Sequence, residues 1–344
     1  MLMVIFGAGA SYDSFSSVPP GPGGWRRDLP QRPPLAKELF ENLPAFRDHL
    51  LKYPQCRPLV PILEKAPDVE RILGFMQVNA DNVRLSQLAA VRYYLRDLIY
   101  TCEQQWSELT RGVSNYGTLL EQIRTVHNVS LVTFNYDTMI ERALGDLRVH
   151  IGSMDGYLAH HQFKLFKLHG STDWAQRASF KGRGTDHRWN SPREIIDHAA
   201  ELELLPRFEW GKHASLPTVL TEMERRLGFT NLVPLMPALA IPAVGKSDFI
   251  CPKAHLESLR EVIPRVTKIL IVGWKAAELH FLKLLMEYLG GKHVKVLAVR
   301  GSIDGAKETL QTLENVGIRG DFQPDPGGFT DFVVNNRVEA FLAS

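Results

Sequence analysis

Met1-Leu-Met-Val-Ile-Phe6 runs straight into Gly7-Ala8-Gly9-Ala10-Ser11, and the fold turns on that junction. Six apolar residues without polar alternation are the pattern of a strand buried on both faces, as in a parallel sheet. Glycines directly after such a strand permit a tight turn and a close backbone approach to a pyrophosphate, whose charge would be met by backbone N–H groups and a helix N-terminus. The strand context points to a dinucleotide. The same five residues would also serve as a plain tight turn, and a lone Gly-x-Gly fixes no reaction. A dehydrogenase fingerprint wants a third glycine at position 12 and an acidic ribose anchor about 20 residues on. Here Tyr12 is followed by Pro19, Pro20, Pro22, Pro30, Pro33 and Pro34. Hydride transfer is therefore disfavoured, and residues 12–34 are predicted to form a long loop, a candidate lid.

Working outward, residues 35–127 turn to helical spacing. The clearest stripe, in residues 85–109, places Leu88, Val91, Leu95, Leu98, Ile99, Cys102 and Trp106 three or four apart. Residues 129–134 read as a strand, 137–144 as a helix and 163–168 as a strand. Residues 175–193 are polar and basic (Arg177, Lys181, Arg183, Arg188, Arg193) and read as a loop with a solvated face, followed by helical stretches near 194–205 and 216–227. Beyond them come a strand at 268–273, a helix at 278–289, a strand at 293–299, a helix at 303–315 and a final helix at 329–342. The alternation predicts right-handed crossovers and an α/β, Rossmann-like parallel sheet flanked by helices, with a helical insertion forming a smaller subdomain. The expected organisation is a single domain over 1–344. Residues 1–34 and 128–344 form its Rossmann-like core, 35–127 the helical insertion and 175–230 a second loop and helix insertion.

With 344 residues, 44% of them hydrophobic and 23% charged, the chain reads as an ordinary globular protein rather than a disordered or disulfide-stapled one. A formal charge of +2 is too small for the footprint of a dedicated nucleic-acid binder. Three scattered cysteines form no Cys-x-x-Cys, and no run reaches membrane length, so a cytoplasmic protein without a cysteine-based metal site is expected.

Two further segments sit at predicted strand ends, where an open α/β sheet presents ligand-facing groups. In Thr133-Phe134-Asn135-Tyr136-Asp137, Asn135 and Asp137 have alternate parity and can flank one crevice; either could instead cap the next helix, although Thr138 with Glu141 also fits a capping box. In Lys167-Leu168-His169-Gly170-Ser171, His169 has the chemistry of a general base near neutral pH, though a lone histidine is more often structural. The other histidines, the His160-His161 pair included, match no metal motif, and no metal is assigned.

Taken in order, Gly-Ala-Gly-Ala-Ser, Thr-Phe-Asn-Tyr-Asp and Lys-Leu-His-Gly-Ser resemble the sirtuin superfamily. The segment Ile271-Val-Gly273-Trp274 running into Glu278-Leu-His-Phe281 looks like its closing nucleotide-contact segment. Deacylase-type sirtuins usually add a zinc module with two Cys-x-x-Cys pairs, and in them a Thr-Gln-Asn-Ile-Asp motif stands where this chain has Phe134 and Tyr136. Without those pairs, and with Arg32-Pro-Pro-Leu-Ala36 before a helix, the chain is more similar to the sirtuin-like effectors of bacterial antiphage defence. The resemblance implies a Rossmann-like fold and an NAD glycohydrolase that cleaves NAD to nicotinamide and ADP-ribose and depletes the cellular pool. It implies Asn135 and His169 as catalytic, Asp137 at the nicotinamide carboxamide, and Gly7, Ala8, Gly9, Ser11, Gly273, Trp274 and Glu278 as further nucleotide contacts. It also implies NAD as substrate without a metal, a homo-oligomer, and a HerA-type ATPase or other defence partner. An NAD-dependent protein deacylase, an ADP-ribosyltransferase and a non-catalytic NAD or ADP-ribose sensor are the rival expectations. Arg300, past the strand at 293–299, is a further candidate phosphate contact.

Overall fold

Strand β1 (Leu2–Phe6) is buried at all five residues and leads into a single turn of helix, α1 (Ala8–Tyr12). In this computed structural model the described residues are 1–21, 29, 31–41, 43–66, 69–78, 80–181, 191–211, 216, 218–219, 226, 233–241 and 249–344. After α1 the chain leaves the sheet for α2 (Pro44–Lys52), α3 (Val60–Leu63), α4 (Val69–Val78), the long α5 (Asn82–Thr110) and α6 (Asn115–Gln122). It re-enters as β2 (Val129–Thr133), followed by α7 (Met139–Asp146), α8 (Gly156–Ala159) and β3 (Phe163–Lys167). An excursion then runs through β4 (Gly170–Phe180), α9 (Pro192–Asp197), β5 (Leu202–Trp210), β6 (Thr218–Val219) and β7 (Val233–Leu239). Regular alternation closes the chain, with α10 (Lys253–Val262), β8 (Lys268–Val272), α11 (Leu279–Leu289), β9 (His293–Val299), α12 (Ile303–Asn315), β10 (Arg319–Asp325), α13 (Gly328–Val334) and α14 (Arg337–Ala343).

The main sheet is six-stranded and parallel throughout, in the order β10-β9-β8-β1-β2-β3. This is an α/β, Rossmann-like fold with a smaller subdomain. From β1 the order runs outward to β2 and β3 on one side and to β8, β9 and β10 on the other. The crevice at the carboxyl ends beside β1 is therefore the topological switch point, where such sheets bind ligands. Among the described residues no helix is long and apolar enough to cross a membrane.

The second layer departs from what its sequence suggested. Helices α2 to α5 share one core with Ala178, Ile195, Ile196, Met236 and Leu239, so the helical segment and the excursion after β3 pack together. That excursion contributes an antiparallel sheet, β5-β4-β7-β6, rather than loop and helix. The first residues of the stretch 175–193 complete β4, and the helix expected over 194–205 ends at Asp197, with strand from Leu202. The polar residues of β4 are met by cross-strand partners: Gln176 Nε2 donates to the Leu205 carbonyl at 2.8 Å, and Arg177 pairs with Glu209 at 2.5 Å. Of the supposed solvated basic face, Arg177 is buried in that pair. Arg183 and Arg188, and nearly all of the helix expected at 216–227, lie outside the described residues. Two smaller differences follow from local chemistry. Edge strand β10 carries Pro324 and polar residues and was unexpected, and the final helix is broken at Asn336, whose φ of 46° is left-handed.

Candidate active site

At the switch point the backbones approach so closely that no side chain fits between them. Gly7 N–H donates to Val272 O at 3.0 Å and Gly9 N–H to Gly273 O at 3.1 Å. A Cβ on Gly7 would lie 2.6 Å from the Trp274 Cα, and one on Gly273, whose φ is +65°, would lie 2.5 Å from the Gly9 carbonyl carbon. The glycines thus serve contact between two loops, and two of the N–H groups expected to face a phosphate are committed to carbonyls. Gly273→Ala is expected to lose about 2–5 kcal/mol, combining left-handed strain with overlap against backbone that cannot give. A lower urea midpoint at unchanged slope would report it.

Asn135 follows the end of β2, with its N–H on the Thr133 hydroxyl at 3.0 Å. Its side-chain Nδ2 faces Gly7 O at 2.9 Å, Ser11 Oγ at 2.9 Å and Tyr116 OH at 3.1 Å. A carbonyl can only accept, so the contact with Gly7 fixes which end of the amide points inward. The Asn135 Oδ1 is left as the atom that no described residue engages. Ser11 donates its single proton to Asp137 Oδ2 at 2.6 Å, so its 2.9 Å partner Tyr116 must be the donor of that pair. Burial, and then the nearby Asp137, raise the Tyr116 hydroxyl well above its ordinary pKa and keep it a donor. Ser11, expected at the phosphates, is therefore the hub joining Asn135, Tyr116 and Asp137.

Thr138 is the N-cap of α7, without a side-chain cap bond, and Asp137 before it accepts the N–H of Met139 on its Oδ1 at 3.2 Å while also lining the cavity. Thr138 and Glu141 form no capping box. The Thr138 hydroxyl donates to Glu103 on α5 at 2.5 Å, and Glu141 pairs with Lys167 at 3.0 Å.

His169 follows β3 and is 3% exposed. Its ring meets the edge of Phe134 at 4.9 Å and 63° and lies nearly parallel to His280 at 5.9 Å and 24°. Phe134 stacks in turn on Trp274 at 5.3 Å and 13°, and Trp274 Nε1 donates to Glu278 Oε2 at 2.5 Å. Arg300 gives Nη1 to the Trp274 carbonyl at 2.8 Å and to Thr309 at 2.9 Å, so it braces the loop after β8 as well as facing the cavity.

One cavity of about 920 Å³ is lined by every site residue expected from the sequence. Gly7, Ala8, Gly9 and Ser11 reach it from β1 and α1, Asn135 and Asp137 from the turn after β2, His169 from the end of β3, and Gly273, Trp274 and Glu278 from the loop after β8. Sequence reasoning missed two contributors. Tyr116 comes from α6 and carries no motif. Asp13 accepts from Thr330 through Oγ1 at 2.5 Å and N–H at 3.0 Å, and burial holds its carboxyl above the usual range while Thr330 opposes the shift. Among the described residues no group of three or more His, Cys, Asp or Glu could hold a metal ion.

The described ends of the loop 12–34, including Pro19, Pro20 and Pro33, border the same cavity; residues 22–28 and 30 of the proposed lid lie outside the described residues. Arg32, fully buried, ties these ends together. It donates to Tyr12 O at 2.8 Å and Val18 O at 2.9 Å, and its guanidinium lies 4.9 Å from the Trp106 ring and 5.3 Å from that of Tyr12. Arg32→Ala is expected to cost about 3 kcal/mol through unsatisfied carbonyls and lost packing. Arg32→Lys should recover little, because an ammonium cannot reproduce the planar fork. Thermal melting and proteolysis confined to residues 12–34 measure both.

No family model matches the chain, and no curated protein matches it. Solved structures resemble it over almost their whole length at low identity. A Sir2 homologue F159A mutant in complex with ADP-ribose is 13% identical with a TM-score of 0.40, covering 100% of this chain and 94% of that one. Sir2Tm bound to a propionylated peptide is 12% identical with a TM-score of 0.40, covering 99% and 94%. A Sir2 in complex with an inhibitor, 2'-O-acetyl-ADP-ribose and a deacetylated p53 peptide is 11% identical with a TM-score of 0.40, covering 99% and 94%. At such scores the likeness assigns neither family nor activity, and the fold class rests on the strand order above.

Proposed function

We propose that the protein is a sirtuin-like NAD glycohydrolase, cleaving NAD to nicotinamide and ADP-ribose. The observation that carries the reading is the convergence of Asn135 and His169, from different strand ends, on one cavity with the glycine turn and Trp274. Hydrolysis breaks the bond between the ribose C1′ and the pyridinium nitrogen. The nitrogen takes the electron pair and leaves as neutral nicotinamide, while water supplies the new C1′–O bond and gives up a proton. The Asn135 Oδ1 orients the ribose or the attacking water, and His169 accepts the proton. The carboxylate of Asp137, fixed by Ser11 and the Met139 N–H, meets the nicotinamide end and favours the positive charge that builds on the sugar. Phe134 and Trp274 offer a stacked aromatic wall beside that bond.

Chromatography of the products formed from NAD alone, by the wild type and by Asn135→Ala, tests the reading. Nicotinamide and ADP-ribose should accumulate in equal amounts with no peptide present. Turnover only with an acylated peptide or another acceptor would instead mark a deacylase or an ADP-ribosyltransferase. Tight NAD or ADP-ribose binding without turnover in any assembly state would mark a sensor. The antiphage role, the cytoplasmic setting, the homo-oligomer and a HerA-type ATPase or other defence partner belong to the same reading, because a hydrolase of the NAD pool must be restrained in the resting cell. The assay is therefore run with and without a candidate partner, and full activity of the isolated monomer would argue against that restraint.

A further inference from the structure

The peptide group joining Asp137 to Thr138 is gripped at both ends by buried charges that the chemistry above leaves unused. From β3, the Lys167 ammonium donates to the Asp137 carbonyl and lies 3.0 Å from Glu141 Oε1. From α5, in the helical layer, the Glu103 carboxylate accepts the Thr138 N–H at 3.0 Å and the Thr138 hydroxyl at 2.5 Å, with Arg142 Nε 3.1 Å away. Lys167 is 0% exposed and Glu103 1%. A cation on the carbonyl and an anion on the N–H oppose the two ends of the peptide dipole, which sets the rotation of that plane. Neutral partners would satisfy the same two groups. Withdrawing each charge from water costs several kcal/mol, so burying two around a single peptide is a poor route to stability. Burial, and then the nearby Asp137, raise the Glu103 carboxyl above its ordinary pKa, while Arg142 and the two hydrogen bonds from Thr138 favour its charged form.

We propose that Lys167 and Glu103 are positioning residues of the active site, holding the 137–138 peptide so that Asp137 keeps its grip on Ser11 and, through Ser11, on the orientation of Asn135. Neither residue lines the cavity. Because Glu103 sits on α5, the helical layer is joined through it to the catalytic turn. Trp106, three residues further along α5, donates to Ser14 Oγ at 2.9 Å and carries the Arg32 guanidinium, so one helix braces both the turn and the segments around Ser14 and Arg32.

The test uses Lys167→Met, which keeps the aliphatic stem, and Glu103→Gln, which keeps the shape. Two readouts are taken on the full chain: amide hydrogen exchange resolved by peptide, and NAD kinetics in whichever assembly state the wild type is active. Exchange over residues 134–139 is expected to rise about tenfold or more while β1, β2 and β8 stay protected. At the same time kcat should fall about 10²-fold with KM within about threefold. Uniformly faster exchange, or a lower melting temperature with kcat and local exchange unchanged, would reduce both residues to fold supports and overturn the proposal. The kinetic half rests on the NAD glycohydrolase reading and the exchange half does not. A wild type that fails to hydrolyse NAD sinks that reading, and the exchange pattern still decides this one. Should Lys167→Met fail to fold, Glu103→Gln carries the same two readouts.

Discussion

NAD turnover is expected to fall about 10²–10⁴-fold when His169 is replaced by alanine, the usual worth of a positioned general base, with NAD affinity nearly unchanged. The ring is placed by its neighbours, edge-on to Phe134 and facing His280, at the mouth of the turn between β3 and β4. That turn stands without the ring. Gly170, with φ of 84°, and the hydrogen bond from Ala240 N–H to the His169 carbonyl at 2.9 Å set the backbone path, so the substitution removes an imidazole and leaves the wall of the cavity in place. Calorimetric titration with NAD, beside product chromatography, separates lost chemistry from lost binding. Wild-type turnover in the alanine variant would remove His169 from the mechanism.

Asn135→Ala should cost about 10²-fold in kcat, through loss of orientation rather than of charge. The side chain presents its Nδ2 to Gly7 O, Ser11 Oγ and Tyr116 OH; truncation removes these bonds while Gly7 O keeps the Ala10 N–H at 2.9 Å, and lowers stability by about 1 kcal/mol. Asn135→Asp is the sharper variant. It keeps the shape but turns a donor into an acceptor facing Gly7 O, beside a serine that already donates to Asp137. Activity and melting temperature should both fall further than in the alanine variant. If aspartate is tolerated better than alanine, the amide is not oriented as described.

The parallel sheet and the members of the site were legible because their signals are local. Apolar runs such as 2–6 and 269–272 announce buried strands, and residues at strand ends fall on one edge. The roles inside the site were less legible, because they depend on partners distant in the chain. Gly7 and Gly9 line the cavity but also press against Gly273 and Trp274, and Ser11 lines it while its hydroxyl joins Asn135, Tyr116 and Asp137; neither second role has a local signal. The antiparallel sheet was hidden for the same reason. Gln176 and Arg177 look like loop residues when their partners, Leu205 and Glu209, lie about thirty positions away. Tyr116 belongs to a helix without a motif, and nothing in the sequence marks it.

The central place of β1 also orders events on the ribosome. Leu2 pairs with Val129 on one side and with Lys268 on the other. At 5–20 residues per second the first strand therefore waits roughly 13–53 s between its own synthesis and that of its second neighbour. Throughout that interval an entirely apolar segment needs shelter by chaperones or by transient collapse, and the cavity at the switch point does not yet exist. Messages cut short before the codon for Lys268 would yield polypeptides without β8 and without the Gly273 and Trp274 wall of the cavity.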